Sequence, residues 1–166
     1  MTARTLRTEP LTRDAFAPFG QVIETAGAHH YPINSGNTER FHDLAKIELG
    51  GANPRPLISI FRGKPFTLPL TLTLVERHPF GSQAFYPLAP RPFLVVVAPD
   101  KNGSPGTPRA FLTAVGQGVN IARNTWHGVL TALQAESEFL VVDRGGDGVN
   151  LEEHTFAQPW TIVAGT

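Results

Sequence analysis

The sequence predicts an all-β fold, a small β-barrel with one or two short helices, and three observations predict it. Short runs rich in β-branched and aromatic residues recur at the spacing of hairpin-connected strands: Leu57 to Phe61, Thr67 to His78, Phe93 to Val97, Ala110 to Val115, Val119 to Ala122, Val129 to Leu133 and Phe139 to Asp143. Gly 16 and Pro 15 make up about a fifth of the 166 residues, which disfavours long helices but falls short of a disordered composition. In the run Thr67 to His78, residues Leu68, Leu70, Leu72, Leu74, Glu76 and His78 share one parity, so an extended strand lines them along one face that passes from aliphatic to ionisable. The other face, Thr67, Thr71, Thr73 and Arg77 with Val75 among them, is mostly polar and reads as the solvent side. An inward polar patch suits a barrel whose mouth holds a small ligand.

The elements follow in order. Thr12 is placed to cap a short helix through Ala15, Phe16 and Phe19, limited by Pro18 and Gly20. Tyr31 to Arg40, rich in Asn, Ser and Gly, reads as a loop that brings Asn34, Asn37 and Arg40 together and is suited to folding over a site. In the next strand Arg62 shares parity with Ile58 and Ile60, which places its guanidinium at the end of a buried face. Asp100 to Pro108 is an exposed connection, and Gly116-Gln117-Gly118 is compact enough for a hairpin. Asp143 ends its strand with the inward parity of Phe139 and Val141, where it can orient a histidine.

Composition narrows the function. The length is that of one domain, residues 1–166, with a core large enough to bury most of its apolar surface. Lys+Arg 14 balances Asp+Glu 14 without a basic run, so neither nucleic acid nor an anionic membrane is an expected partner. The absence of cysteine excludes disulfides, thiolate metal sites and cysteine nucleophiles, and is compatible with a reducing cytoplasm. Met1 to Pro10 carries charges without an apolar core, so it reads as neither signal peptide nor anchor, and Phe93 to Ala98 is too short to span a bilayer.

Two segments carry the chemistry. Glu76-Arg77-His78, followed by Gln83, has the spacing of the first cupin motif, with Glu for its first histidine and Gln for its acid. Gly116 to His127 resembles the second motif at Gly116 and His127, with Ala122 in place of proline and Asn124 in place of glycine. Asn tolerates a left-handed backbone better than most residues, so the change at Asn124 is mild. Glu76, His78, Gln83 and His127 together offer the oxygen and nitrogen donors of a divalent transition-metal site, although the amide of Gln83 is a poor ligand and is equally suited to bond a substrate amide.

The strings ERHPFGSQAF from Glu76 to Phe85, GQGV from Gly116 to Val119, TWH from Thr125 to His127, and LTRDAFAPFGQVIE from Leu11 to Glu24 resemble the ureidoglycolate lyases, over almost the whole chain. Asn34, Gly36, Arg40, Phe41, Asp43 and Leu44 are similar to that family's N-terminal segment, whereas Asn124 and Gly128 depart from it. The resemblance implies a cupin-type barrel (a double-stranded β-helix, or jelly roll), a homodimer, a nickel ion with no organic cofactor, and cleavage of (S)-ureidoglycolate into glyoxylate and urea in allantoin breakdown.

That chemistry must remove a hydroxyl proton, protonate a departing nitrogen and anchor one carboxylate. His78 or His127 can take the proton; if both bind metal, Glu76 or bound hydroxide remains to accept it. Arg62 and Arg40 compete as carboxylate anchors, and Asn34, Gln83 and Trp126 complete the candidate substrate contacts, Trp126 as a wall. His29, His30, His42 and His154 read as surface or packing residues. A metal-dependent cupin oxygenase or isomerase, a non-catalytic small-ligand-binding cupin, and an amidohydrolase releasing ammonia and carbon dioxide are the alternatives.

Overall fold

A computed structural model describes residues 4–166. Its elements are β1 (Arg4–Pro10), α1 (Arg13–Phe16), β2 (Gly20–Ile23), β3 (His30–Ile33), β4 (Thr38–Phe41), β5 (Arg55–Gly63), β6 (Leu70–Arg77), β7 (Gln83–Pro87), β8 (Phe93–Ala98), β9 (Asp100–Lys101), β10 (Ser104–Pro105), β11 (Arg109–Leu112), β12 (Gly118–Ile121), β13 (Trp126–His127), β14 (Thr131–Ala132), β15 (Ser137–Gly145) and β16 (Glu152–Val163). The first three residues of the segment read as lacking a leader lie outside the described residues.

Seven strands pair in the order β11-β1-β16-β6-β13-β8-β14, and a further pairing of β11 with β8 closes six of them into a ring. Five more pair in the order β2-β12-β7-β15-β5. The all-β barrel expected from the strand spacing is therefore present. Strand β8 explains how the layers stack, because all six of its residues are buried. Leu94, Val96 and Ala98 pack inside the closed ring with Leu72, Val75, Trp126, Phe156, Trp160 and Ile162. Phe93, Val95 and Val97 face the other way, into the space between ring and five-stranded sheet, where Phe85, Phe111, Val119, Phe139 and Val141 meet them. A strand apolar on both faces is what two cores on either side of one sheet require.

Several local expectations hold and others are corrected. Thr12 caps α1, its hydroxyl accepting from the Ala15 amide at 3.2 Å. The segment Tyr31 to Arg40 is not a loop: β3 and β4 form an exposed hairpin of their own around a turn at Asn34–Gly36, where Asn34, Ser35 and Gly36 all have positive φ. The Asn, Ser and Gly content records that tight turn, not an irregular segment. Gly116 to Gly118 is not a hairpin either, since β11 belongs to the seven-stranded sheet and β12 to the other, so the connection crosses between layers.

Strand β6 departs from a simple inside and outside. Thr71 and Thr73 are exposed as expected, but Val75 is fully buried inside the ring. Arg77 is nearly covered: it stacks 4.3 Å over the Trp126 ring and donates to Asp100 and Glu152. The cause is β16, which pairs along β6 with a break in register between Thr155 and Trp160 and helps close the ring at this end. Near Glu76, both faces of β6 therefore carry structure.

Candidate active site

Two of the three central residues come from neighbouring strands, and the third from just past the end of one of them. Glu76 on β6 lies opposite His127 on β13 in the antiparallel register, and His78 follows two residues after Glu76, so a single cross-strand pair brings the segments together despite their distance in sequence. The backbone of Asn124 donates to the His78 carbonyl at 2.9 Å and adds a second tie. Asn124 has φ 63°, the left-handed conformation anticipated from its position in the second motif.

Ligating atoms of Glu76, His78 and His127 all lie within 4.8 Å of one another. The two imidazole rings are 5.1 Å apart between centroids, and His78 Nε2 is 3.9 Å from Glu76 Oε1. Each ring is held by its far nitrogen. His78 Nδ1 is 2.8 Å from the Asn150 carbonyl, and His127 Nδ1 is 2.8 Å from the Gly128 carbonyl. A carbonyl only accepts, so both Nδ1 atoms carry a proton and both Nε2 atoms point away from these carbonyls. Both Nε2 atoms are buried without a protein partner.

Burial sets the protonation. His127 is buried, and loss of hydration pulls its pKa down to about 4, with the neighbouring His78 acting in the same direction against the Gly128 hydrogen bond. It is neutral near pH 7. Desolvation pushes the Glu76 carboxyl above its ordinary value, His78 opposes this and Glu153 adds to it. Two imidazoles, each fixed by a carbonyl and set beside a carboxylate, fit a divalent transition metal by donor type and by outer support.

Glu76 and His127 open on a cavity of about 380 Å³ between the ring and the five-stranded sheet, with Gln83, Phe85, Phe61 and Arg62 on its other side and Val129 and Leu130 at an edge. Its size is that of a small-molecule site. Gln83, on β7, is buried and donates its amide to Asp143 Oδ2 at 3.1 Å. Asp143 is thus joined to Gln83 rather than to a histidine.

The other candidate residues are not gathered in this cavity in the same way. Arg62 stands at its rim, but the parity argument that placed it is overturned: Ile58 and Ile60 face outward, and Arg62 on the same side is exposed and bonded to Glu138 at 3.0 Å. The inner face of β5 is the one containing Phe61, whose ring meets Phe85. Asn34 and Arg40 lie on the separate β3–β4 hairpin and are exposed, Asn34 bonding Thr38. Trp126 points to the opposite side of the sheet from the cavity, into the closed ring, with its indole donating to Asp100 at 2.9 Å.

Sequence reading missed the support behind the site. Asn150 holds the His78 ring through its carbonyl and the Phe80 amide through its side chain, at 2.7 Å. Residues 48–52 run beside the Phe80–Ser82 turn: Leu49 bridges to Gly81, and Glu48 and Ser82 bond each other. Arg144 locks that run by donating to the carbonyls of Gly50, Ala52 and Asp147. None of these has a spacing signal, because each acts by hydrogen bonds between loops distant in sequence, most of them to backbone groups.

Comparison with known proteins agrees with the motifs. The family model described as "Ureidoglycolate lyase" matches residues 3–163. Ureidoglycolate lyase of Chelativorans sp. (strain BNC1) is 63% identical over 159 residues, covering 96% of each chain. That of Mesorhizobium japonicum is 62% identical over 162 residues, covering 98% of each, and ureidoglycolate lyase 2 of Rhizobium meliloti is 58% identical over 153, covering 92% of this chain and 94% of its own. With the cavity, its paired imidazoles and carboxylate already in place, these matches establish that the chain belongs to the ureidoglycolate lyase family.

Proposed function

We propose that the protein is a carbon–nitrogen lyase that cleaves (S)-ureidoglycolate to glyoxylate and urea. The observation that carries this reading is the Glu76, His78 and His127 cluster, of which Glu76 and His127 line a cavity of small-molecule size. The reaction needs one proton moved from the substrate hydroxyl to the ureido nitrogen as the carbon–nitrogen bond breaks and the carbonyl forms. His127, neutral near pH 7 with its proton on Nδ1, has none on Nε2 to give. Glu76, beside both imidazoles and lining the cavity, is the group suited to take the hydroxyl proton and return it to nitrogen.

His78 Nε2, His127 Nε2 and one Glu76 oxygen would hold a divalent ion, nickel by family resemblance, with the second carboxylate oxygen left for the proton. When bound, such an ion supplies positive charge that stabilises oxyanion character on a neighbouring oxygen. Phe61, Phe85, Val129 and Leu130 limit water around the reacting atoms. Arg62 is assigned as the carboxylate anchor at the rim, where a charge-assisted hydrogen bond is typically worth about 1.5 to 3 kcal/mol. Arg40 and Asn34 are the competing contacts on their hairpin, and Trp126 acts as a supporting wall behind His127.

A homodimer also fits. The face of the five-stranded sheet turned away from the core presents Ile58 and Ile60, 77% and 52% exposed, aligned by register with Leu140, Val142, Tyr86 and Ala84. The strand at that edge is β5, whose open side is a natural pairing surface. A cytoplasmic enzyme of one cupin-like unit, residues 1–166, completes the reading; no helix among the described residues is long and apolar enough to cross a membrane.

One incubation tests the reaction. Urea and glyoxylate in equal amounts without ammonia are expected; ammonia in place of urea would mean an amidohydrolase, and no turnover a binding protein. Removal of metal by chelation is expected to abolish urea release, with nickel restoring it.

A further inference from the structure

The Gln83 side chain has a fixed sense. Its Nε2 donates to Asp143 Oδ2 at 3.1 Å, and turning the amide over would set its carbonyl oxygen against a carboxylate oxygen. The carbonyl oxygen Oε1 is consequently the atom left over, and it is buried with no protein partner. Gln83 also lines the cavity that holds Glu76 and His127. A buried carbonyl without a donor is costly, and the cost is removed when a ligand supplies an N–H or O–H.

Asp143 reaches this position through the sheet. Phe139 and Val141 bury their side chains in the core between the layers, and Asp143 continues the same parity along β15, next to β7. The strand that lines the core thus carries, two residues before its end, a carboxylate bonded to the amide on its neighbour.

We propose that Asp143 is a positioning residue that holds Gln83 with its carbonyl toward the cavity, so that the site recognises the terminal N–H₂ of the ureido group. This deepens the lyase reading and rests on it. The choice of ureido end follows from donor and acceptor type. The substrate carboxylate offers only acceptors and cannot satisfy Oε1, whereas the ureido N–H₂ offers it a donor. Its place is therefore beside Gln83, with the carboxylate directed toward the Arg62 rim.

The test is a double-mutant cycle with Asp143→Asn and Gln83→Leu, read by steady-state kinetics and by inhibition with each product separately. An Asn at 143 presents either an oxygen or an amide, and Gln83 is then free to turn. Asp143→Asn is expected to raise KM for ureidoglycolate about tenfold with a smaller change in kcat, and to weaken inhibition by urea about equally while leaving inhibition by glyoxylate unchanged. In the Gln83→Leu background the same change is expected to have no further effect. An equal loss with and without Gln83, or equal weakening of urea and glyoxylate, would overturn the proposal. If Asp143→Asn does not fold, Asp143→Ser carries the same expectations. If the wild type releases no urea, the lyase reading fails by itself, and binding of urea to wild type and variant, followed by ligand-observed NMR, still decides whether Asp143 acts through Gln83.

Discussion

His78 and His127 are each anchored by a carbonyl on Nδ1, and that detail determines which nitrogen meets the cavity. Replacing Asn150 by Ala leaves the carbonyl in the chain but frees the Phe80 amide that its side chain holds, so the His78 ring loses its fixed approach. Asn150→Ala is expected to weaken metal affinity or activity about 10-fold or more, measured by metal titration beside urea release, with stability little changed. Asn124 gives a second prediction at this scale. Its φ of 63° is tolerated by Asn and Gly but strained for a β-branched side chain, so Asn124→Val is expected to cost about 1–2 kcal/mol in chemical denaturation and Asn124→Gly much less. Glu76, His78 and His127 were legible in the sequence because strand parity and motif spacing both pointed to them. Arg62 was misread for the converse reason: alternation shows that a strand has two faces, but not which one is buried, and on edge strand β5 the isoleucines are outside.

Strand ends near the site are tied by a clamp of one residue from each of four elements. Asp100 of β9 accepts from Trp126 of β13 and from Arg77 of β6, which also pairs with Glu152 of β16. The Trp126 hydrogen bond, then the Gly103 amide and the Arg77 charge, hold the Asp100 carboxyl below its ordinary value. A lowered folded-state pKa means that the unfolded chain takes up the proton first. Asp100 therefore adds stability above the ordinary carboxylate range, and the contribution is lost as pH falls through the folded value. Acid titration followed by tryptophan fluorescence is expected to show destabilisation below about pH 4 that is reduced in Asp100→Asn; identical acid profiles would show that the clamp is without effect. Strand β16, the longest, was not seen in the sequence, because Glu152 to Val163 has polar residues on both faces and a proline at 159. Its role depends on long-range pairing with β1 and β6, which no local pattern records.

Across the molecule, the expected barrel is present as a closed ring, but its interior is filled by Trp126, Trp160 and their neighbours. The ligand-sized cavity lies instead between that ring and the second sheet, at the end where β5 and β7 face β6 and β13. Strand count and turn chemistry made the fold class legible; how the strands divide between layers was not, since β8 is apolar on both faces and fits either side. The apolar outer face gives the prediction at this scale. Ile58→Lys with Ile60→Lys is expected to convert a dimer to a monomer in light scattering, and a wild-type monomer would remove that face as an interface. The central claim is that Glu76 and the paired imidazoles beside it form the site of carbon–nitrogen cleavage. The most direct measurement is the rate of urea release from (S)-ureidoglycolate by the wild type, His78→Asn and His127→Asn at equal folded concentration. The account predicts losses of about 100-fold or more in each variant; a variant that releases urea at the wild-type rate would contradict it.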